Sequence, residues 1–170
     1  MEDDTVEAAR SVVTVQEVRD YITVKRGEGL VCPCCDRWLK VYRRKFNGTM
    51  ARSVIWVAYQ RQRQILSGGN TDWVHVQRLA PAWLLRSKQL SITAKWGLVR
   101  AMPNENNPKV KGSGWWRETE KGLSFVRNQV PIPEYAYLYN NSVIGFSEEL
   151  VYARDTLPVG FDYRNIMDDV

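Results

Sequence analysis

The first readable pattern opens at Thr14-Val15-Gln16-Glu17, a hydroxyl residue followed three places later by a glutamate, which is a capping box. Val15, Val18 and Ile22 then recur at helical spacing and predict a helix from Val15 to Lys25, ended by Gly27 and Gly29. From Trp38 to Lys45 apolar and basic residues alternate, the period of a strand. Asn47-Gly48-Thr49 offers turn and capping residues before a long helix, Met50 to Leu66, with Ala51, Val54, Ile55, Ala58 and Ile65 on one stripe. Ser67-Gly68-Gly69-Asn70 stops it. Trp73 to Val76 is short and β-prone, and Pro81 suits the first turn of a helix reaching Arg86. Ser87 is placed to cap a further helix to Lys95 or Trp96, with Gly97 as its stop.

Leu98 to Ala101 reads as a strand, Pro103 to Gly114 as a polar loop, and Trp115 to Glu118 as a return strand. Thr119 caps a helix through Arg127. Val130-Pro131-Ile132-Pro133 reads as an extended linker. Tyr135–Tyr139 and Val143–Phe146, flanking Asn140-Asn141-Ser142, signal a hairpin, and Glu148 to Leu157 suggests one more short helix. The mixture predicts an α+β fold: residues 1–46 carry a helix and a cysteine segment, 47–129 the central domain, and 130–170 a β-hairpin and tail.

Charge changes this picture more than composition does. From Arg37 to Arg127 there are 18 Lys/Arg against four acids, a balance of +14, while the rest of the chain holds 6 against 15 and brings the total to +5. A basic middle between acidic ends suggests a surface for a polyanion; the alternative is a solvated surface closed off by the acidic ends. Seven Trp and eight Tyr supply core material. Tyr135, Tyr137 and Tyr139 share one face of a strand, where packing against the neighbouring domain outweighs base stacking. The acidic start, the lack of a long apolar run and the odd cysteine count point to a cytoplasmic protein with no membrane partner.

The three cysteines sit in Cys32-Pro33-Cys34-Cys35. Cys32 and Cys35 have the spacing of half a zinc site, which a structural ion completes with two more Cys or His. Cys34 with the sole histidine, His75, or with Asp36, or a second half-site across a dimer, are the sources available for a zinc cofactor. The competing reading leaves the thiols half-buried at a turn and His75 as a core or edge residue. A Walker A loop, a dinucleotide fingerprint and a nucleophile elbow are all missing from the sequence, so an enzyme is not expected.

Lys95-Trp96-Gly97-Leu98-Val99 and Trp116-Arg117-Glu118-Thr119-Glu120-Lys121-Gly122-Leu123-Ser124-Phe125 resemble the two junctions that flank the wing in MarR- and PadR-like winged-helix transcription regulators. The likeness runs from Met50 to Arg127. It implies a winged helix-turn-helix core that binds double-stranded DNA as a homodimer and regulates transcription. The implied contacts are Arg86, Lys88, Gln89, Ser91 and Lys95 on and before the recognition helix, Arg100 after it, and Lys109 and Lys111 in the wing. The stretch Leu90 to Trp96 departs from the family in lacking an arginine. The whole chain also resembles a group of phage-encoded proteins that join a Cys-Pro-Cys-Cys segment to such a wing, which implies a host cytoplasm and supplies no function. The alternative function is an adaptor or inhibitor that binds a host protein or a nucleoprotein complex through the same basic surface.

Overall fold

The chain folds as a mixture of helices and small antiparallel sheets, and the computed structural model describes residues 13–69, 72–104 and 114–163. It divides into two units, one formed by Met1–Tyr42 with Tyr139–Ser142 and the other by Arg43–Leu138 with Val143–Val170. Among the described residues no helix is long and apolar enough to cross a membrane.

In the smaller unit, helix α1 spans Val15–Lys25 and starts as its sequence predicts. The Glu17 N–H reaches Thr14 Oγ1 at 3.2 Å, and the Thr14 N–H returns to Glu17 Oε2 at 2.7 Å. The bonds donated by the Thr14 N–H and then by its hydroxyl hold the Glu17 carboxyl below its ordinary pKa. No residue of α1 is buried, so its caps rather than its packing define it. Strands β1 (Leu30–Val31) and β2 (Trp38–Leu39) pair antiparallel, with Leu30 opposite Leu39 and Val31 opposite Trp38. Gly29, at φ +95°, lets the Trp38 ring lie where a Cβ would be.

The larger unit is organised around helix α2 (Gly48–Leu66), whose first turn is capped by Asn47 Oδ1 at 3.1 Å from the Met50 N–H. Its first half is buried on every side, from Met50 to Ala58 with only Arg52 partly exposed, because later helices and strands pack all around it. Ala51, Val54, Ile55 and Ala58 of the expected stripe are buried, but so are Ser53, Trp56 and Val57 on the other faces, and Ile65, expected inward, is 50% exposed. Strand β3 (Tyr42–Lys45) precedes α2; strand β4 (Val74–His75) and the short helix α3 (Val76–Leu79) follow it. Val76 thus begins a helix instead of extending the strand, its N–H bonded to the Gly114 carbonyl at 2.9 Å.

Helix α4 (Ala82–Ser87), helix α5 (Leu90–Thr93) with a 3-10 turn at Ala94–Trp96, strand β5 (Val99–Ala101), strand β6 (Trp115–Glu118) and helix α6 (Glu120–Val126) complete the middle of the chain. The three strands form an antiparallel sheet in the order β4-β6-β5, with Val74 opposite Trp116 and Val99 opposite Glu118. In the core Phe46 meets both Trp96 and Phe125 edge to face, each pair with centroids 5.4 Å apart.

The C-terminal part differs from its sequence reading in two places. Ile132–Pro133, expected as a linker, is strand β7, followed by the anticipated hairpin of β8 (Tyr135–Tyr139) and β9 (Ser142–Phe146). Asn140 and Asn141 turn it at φ +47° and +61°, a conformation these side chains tolerate. β3 joins the hairpin as a third strand, in the order β3-β8-β9. Within Glu148–Leu157 only Ala153–Thr156 is helical, as α7; Leu150–Val151 is strand β10, paired with β7. The Glu134 N–H bonds the Glu149 carbonyl at 2.7 Å and holds that segment extended.

Candidate nucleic-acid interface

The segment from α4 to β5 carries most of the residues expected to touch DNA. Ser87 does not cap the following helix from its N-cap position. Its hydroxyl donates to the Leu84 carbonyl at 2.9 Å and closes α4, and Lys88 then turns the chain at φ +52°. Gln89 stands at the start of α5 with no side-chain cap of its own. From Leu90 to Trp96 the buried positions are Leu90, Thr93 and Trp96, a period of three that suits the 3-10 ending. Lys88 and Ser91 are exposed and occupy the outward side, while Lys95 is half-buried. The expected inward residue Ala94 is only half-buried.

Gln89 is committed inside the fold. Its Oε1 accepts from Arg44 Nη2 at 3.0 Å, and its Nε2 donates to the Ser87 carbonyl at 3.1 Å. Arg86 is exposed, its Nε 3.3 Å from the Ala82 carbonyl of its own helix. Arg100 is exposed and lies 5.5 Å from the centre of the Trp73 ring. Lys109 and Lys111 lie outside the described residues. Sequence reasoning did not single out Arg78, which is exposed at the end of α3; its position ten residues before Lys88, outside any resembling motif, gave no signal.

The two motifs on either side of β5 and β6 interlock. Gly97 ends the 3-10 turn at φ +73°, a left-handed position suited to glycine. Thr119 donates its hydroxyl to the Gly97 carbonyl at 2.6 Å and its N–H to the Leu98 carbonyl at 3.0 Å, while its Oγ1 accepts the Gly122 N–H at 3.0 Å. Lys121 Nζ reaches the Trp96 carbonyl at 3.0 Å. A Cβ at Gly122 would overlap the Leu98 carbonyl oxygen, so helix α6 and the entry to β5 touch backbone to backbone. Thr119, three residues before this glycine, is thus a cap and a clamp together.

Much of the basic middle is engaged within the unit. Arg61 Nε meets Glu118 Oε1 at 2.7 Å, with the Glu118 side chain 3% exposed, and Arg61 also reaches Asp72 at 3.5 Å. Arg117 pairs with Asp72 at 3.6 Å and stacks 5.3 Å from the Trp73 ring. Arg52 lies over Trp83 at 4.5 Å and Arg43 over Tyr135 at 3.6 Å. Lys45 bonds Glu134 at 2.9 Å, and that carboxylate raises its pKa. A count of charges along the sequence cannot register these internal uses. Beside the Arg61–Glu118 pair lies a cavity of about 640 Å³ between α2 and α6, with Tyr59, Ile65, Val126 and Tyr163 among its walls.

The residues expected around a metal fall in both units. His75 belongs to the larger one, its ring edge-on to Trp115 with centroids 4.7 Å apart. The cysteines belong to the smaller one, and all three are free. The Cys34 backbone N–H is the foremost cause holding the Cys32 thiol below its ordinary pKa, opposed by burial and aided by Cys35. Among the described residues no three His, Cys, Asp or Glu side chains gather as metal ligands. No protein-family model, curated protein or solved structure matches this chain.

Proposed function

We propose that the larger unit is a non-enzymatic winged-helix module that binds double-stranded DNA and regulates transcription. The observation that carries this reading is the topology: helix, strand, helices, then two strands joined by a long polar connection, with the first strand pairing with the last in the order β4-β6-β5. In that arrangement α5 is the helix offered to the major groove, and the connection from β5 to β6, which contains Lys109 and Lys111, is the wing. Lys88 and Ser91 face outward beside and on α5 and, with the half-buried Lys95, are the proposed contacts, with Arg86 and Arg100 at their flanks. Gln89 enters as a brace between Arg44 and the turn rather than as a reader of adenine.

A second reading has its own support. Because Arg43, Arg44, Arg52, Arg61 and Arg117 are engaged internally, the free cationic surface is smaller than the charge balance suggests, which favours an adaptor or inhibitor that binds a host protein. Titrating the full chain with duplex DNA at several salt concentrations separates the two. DNA binding through these lysines gives a steep log-log salt dependence, and Lys88→Ala flattens the slope by about 0.9 for its lost phosphate contact. A chain with no measurable duplex affinity at low salt supports the adaptor instead.

A further inference from the structure

We infer that the cavity between α2 and α6 is a binding site for a small, neutral, planar aromatic molecule that donates an N–H to the Glu118 carboxylate. The inference does not depend on the DNA reading.

The cavity lies wholly within the larger unit and measures about 640 Å³, inside the range of roughly 300–1,000 Å³ that small-molecule sites occupy. Tyr59, Gln62 and Leu66, three and four residues apart on α2, line one wall. Leu123 and Val126, three apart on α6, line the wall across from it. Ala58, Glu118 and Val126 are buried, whereas Gln62, Leu66 and Arg127 are exposed. The cavity therefore runs from an open, partly polar mouth to a closed floor, and Glu118 belongs to the floor.

Three features fix the chemistry of the occupant. Arg61 Nε takes one oxygen of Glu118, Oε1, at 2.7 Å, and among the described residues Oε2 is buried without a hydrogen bond. A buried acceptor left unpaired costs free energy that a donor carried in by a ligand recovers. The lining carries the cations Arg61 and Arg127 against the single anion Glu118. A cationic ligand would meet more like charge than opposite charge, and an anionic one would bring its charge onto the carboxylate at the floor. A neutral donor avoids both costs. Finally, the rings of Tyr59 and Tyr163 stand side by side in the wall, 24° from parallel with centroids 6.4 Å apart, and Leu123 and Val126 add apolar surface. Such walls match the faces of a flat ring.

The test is titration of the full-length chain with indole, followed by the amide resonances of the protein, beside a titration with benzofuran. Benzofuran has the same shape, with a ring oxygen in place of the N–H. The expected result is saturable shifts in Ala58–Leu66 and Leu123–Asn128, with benzofuran bound at least about tenfold more weakly because it leaves Oε2 unpaired. Glu118→Gln keeps an oxygen for Arg61 and sets an NH2 group in the place of Oε2, so the preference for indole disappears. Ile65→Trp fills the cavity from a position that is 50% exposed, and indole binding is lost. No shifts up to millimolar indole, shifts confined to other segments, or equal affinity for benzofuran would overturn the inference on the parent chain alone, whether or not the variants fold. A preference retained by Glu118→Gln, or indole binding unchanged in Ile65→Trp, would overturn it as well.

Discussion

Gly122 and Arg61 show how single residues set this fold. At Gly122 the first atom of any side chain meets the Leu98 carbonyl, which is backbone and cannot swing aside. Gly122→Ala should therefore lower stability by about 2–3 kcal/mol, the upper range for overpacking, measured by urea denaturation. An unchanged midpoint would mean that α6 does not press on the entry to β5. Arg61 Nε donates to Glu118 Oε1 at 2.7 Å, and among the described residues Glu118 Oε2 is buried without a hydrogen bond. Arg61→Ala strands that carboxylate and is expected to cost roughly 3 kcal/mol, since breaking a buried pair leaves an uncompensated charge. Gln89→Ala should cost about 1.5 kcal/mol by removing the acceptor from Arg44. If this variant is as stable as the parent and loses a base preference, Gln89 is a DNA contact after all.

At the scale of elements, caps explain more than periodicity does. α1 buries nothing, and its start rests on the bonds between Thr14 and Glu17. Because the folded-state pKa of Glu17 is lowered, its contribution is fully present above its unfolded pKa and is lost as pH falls through the folded value. The backbone carbon shifts of Val15–Lys25 should accordingly lose helical character on acidification. In Glu17→Gln the same shifts should be nearly flat with pH; a parent-like titration there would locate the acid-sensitive group elsewhere. The starts of α1, α2 and α6 were legible because Thr14, Asn47 and Thr119 cap locally. Ser87 was harder to read: its hydroxyl donates backward to the Leu84 carbonyl and accepts the Gln89 N–H at 3.4 Å, and the left-handed Lys88 separates it from the helix that follows. β7 and β10 were invisible as strands, because each is two residues long and exists only through the other.

On the scale of the whole molecule, the order of elements from α2 to α6 was readable except for the short helix α3, and the uses of the charges were not. The balance of +14 located the cationic middle, but whether an arginine faces water or a Trp ring depends on residues far away in sequence, as with Arg52 over Trp83. The cysteine spacing was legible too, whereas the folding of the loop around Cys32 needed the register of β1 on β2. As proposed, α5 is presented to duplex DNA. Hydrogen exchange of the full chain, with and without saturating duplex at low salt, tests it most directly. The proposed mode of binding slows exchange in Lys88–Trp96 and leaves the α1 amides unchanged. Protection confined to other segments, or none at all in the presence of duplex, would contradict it.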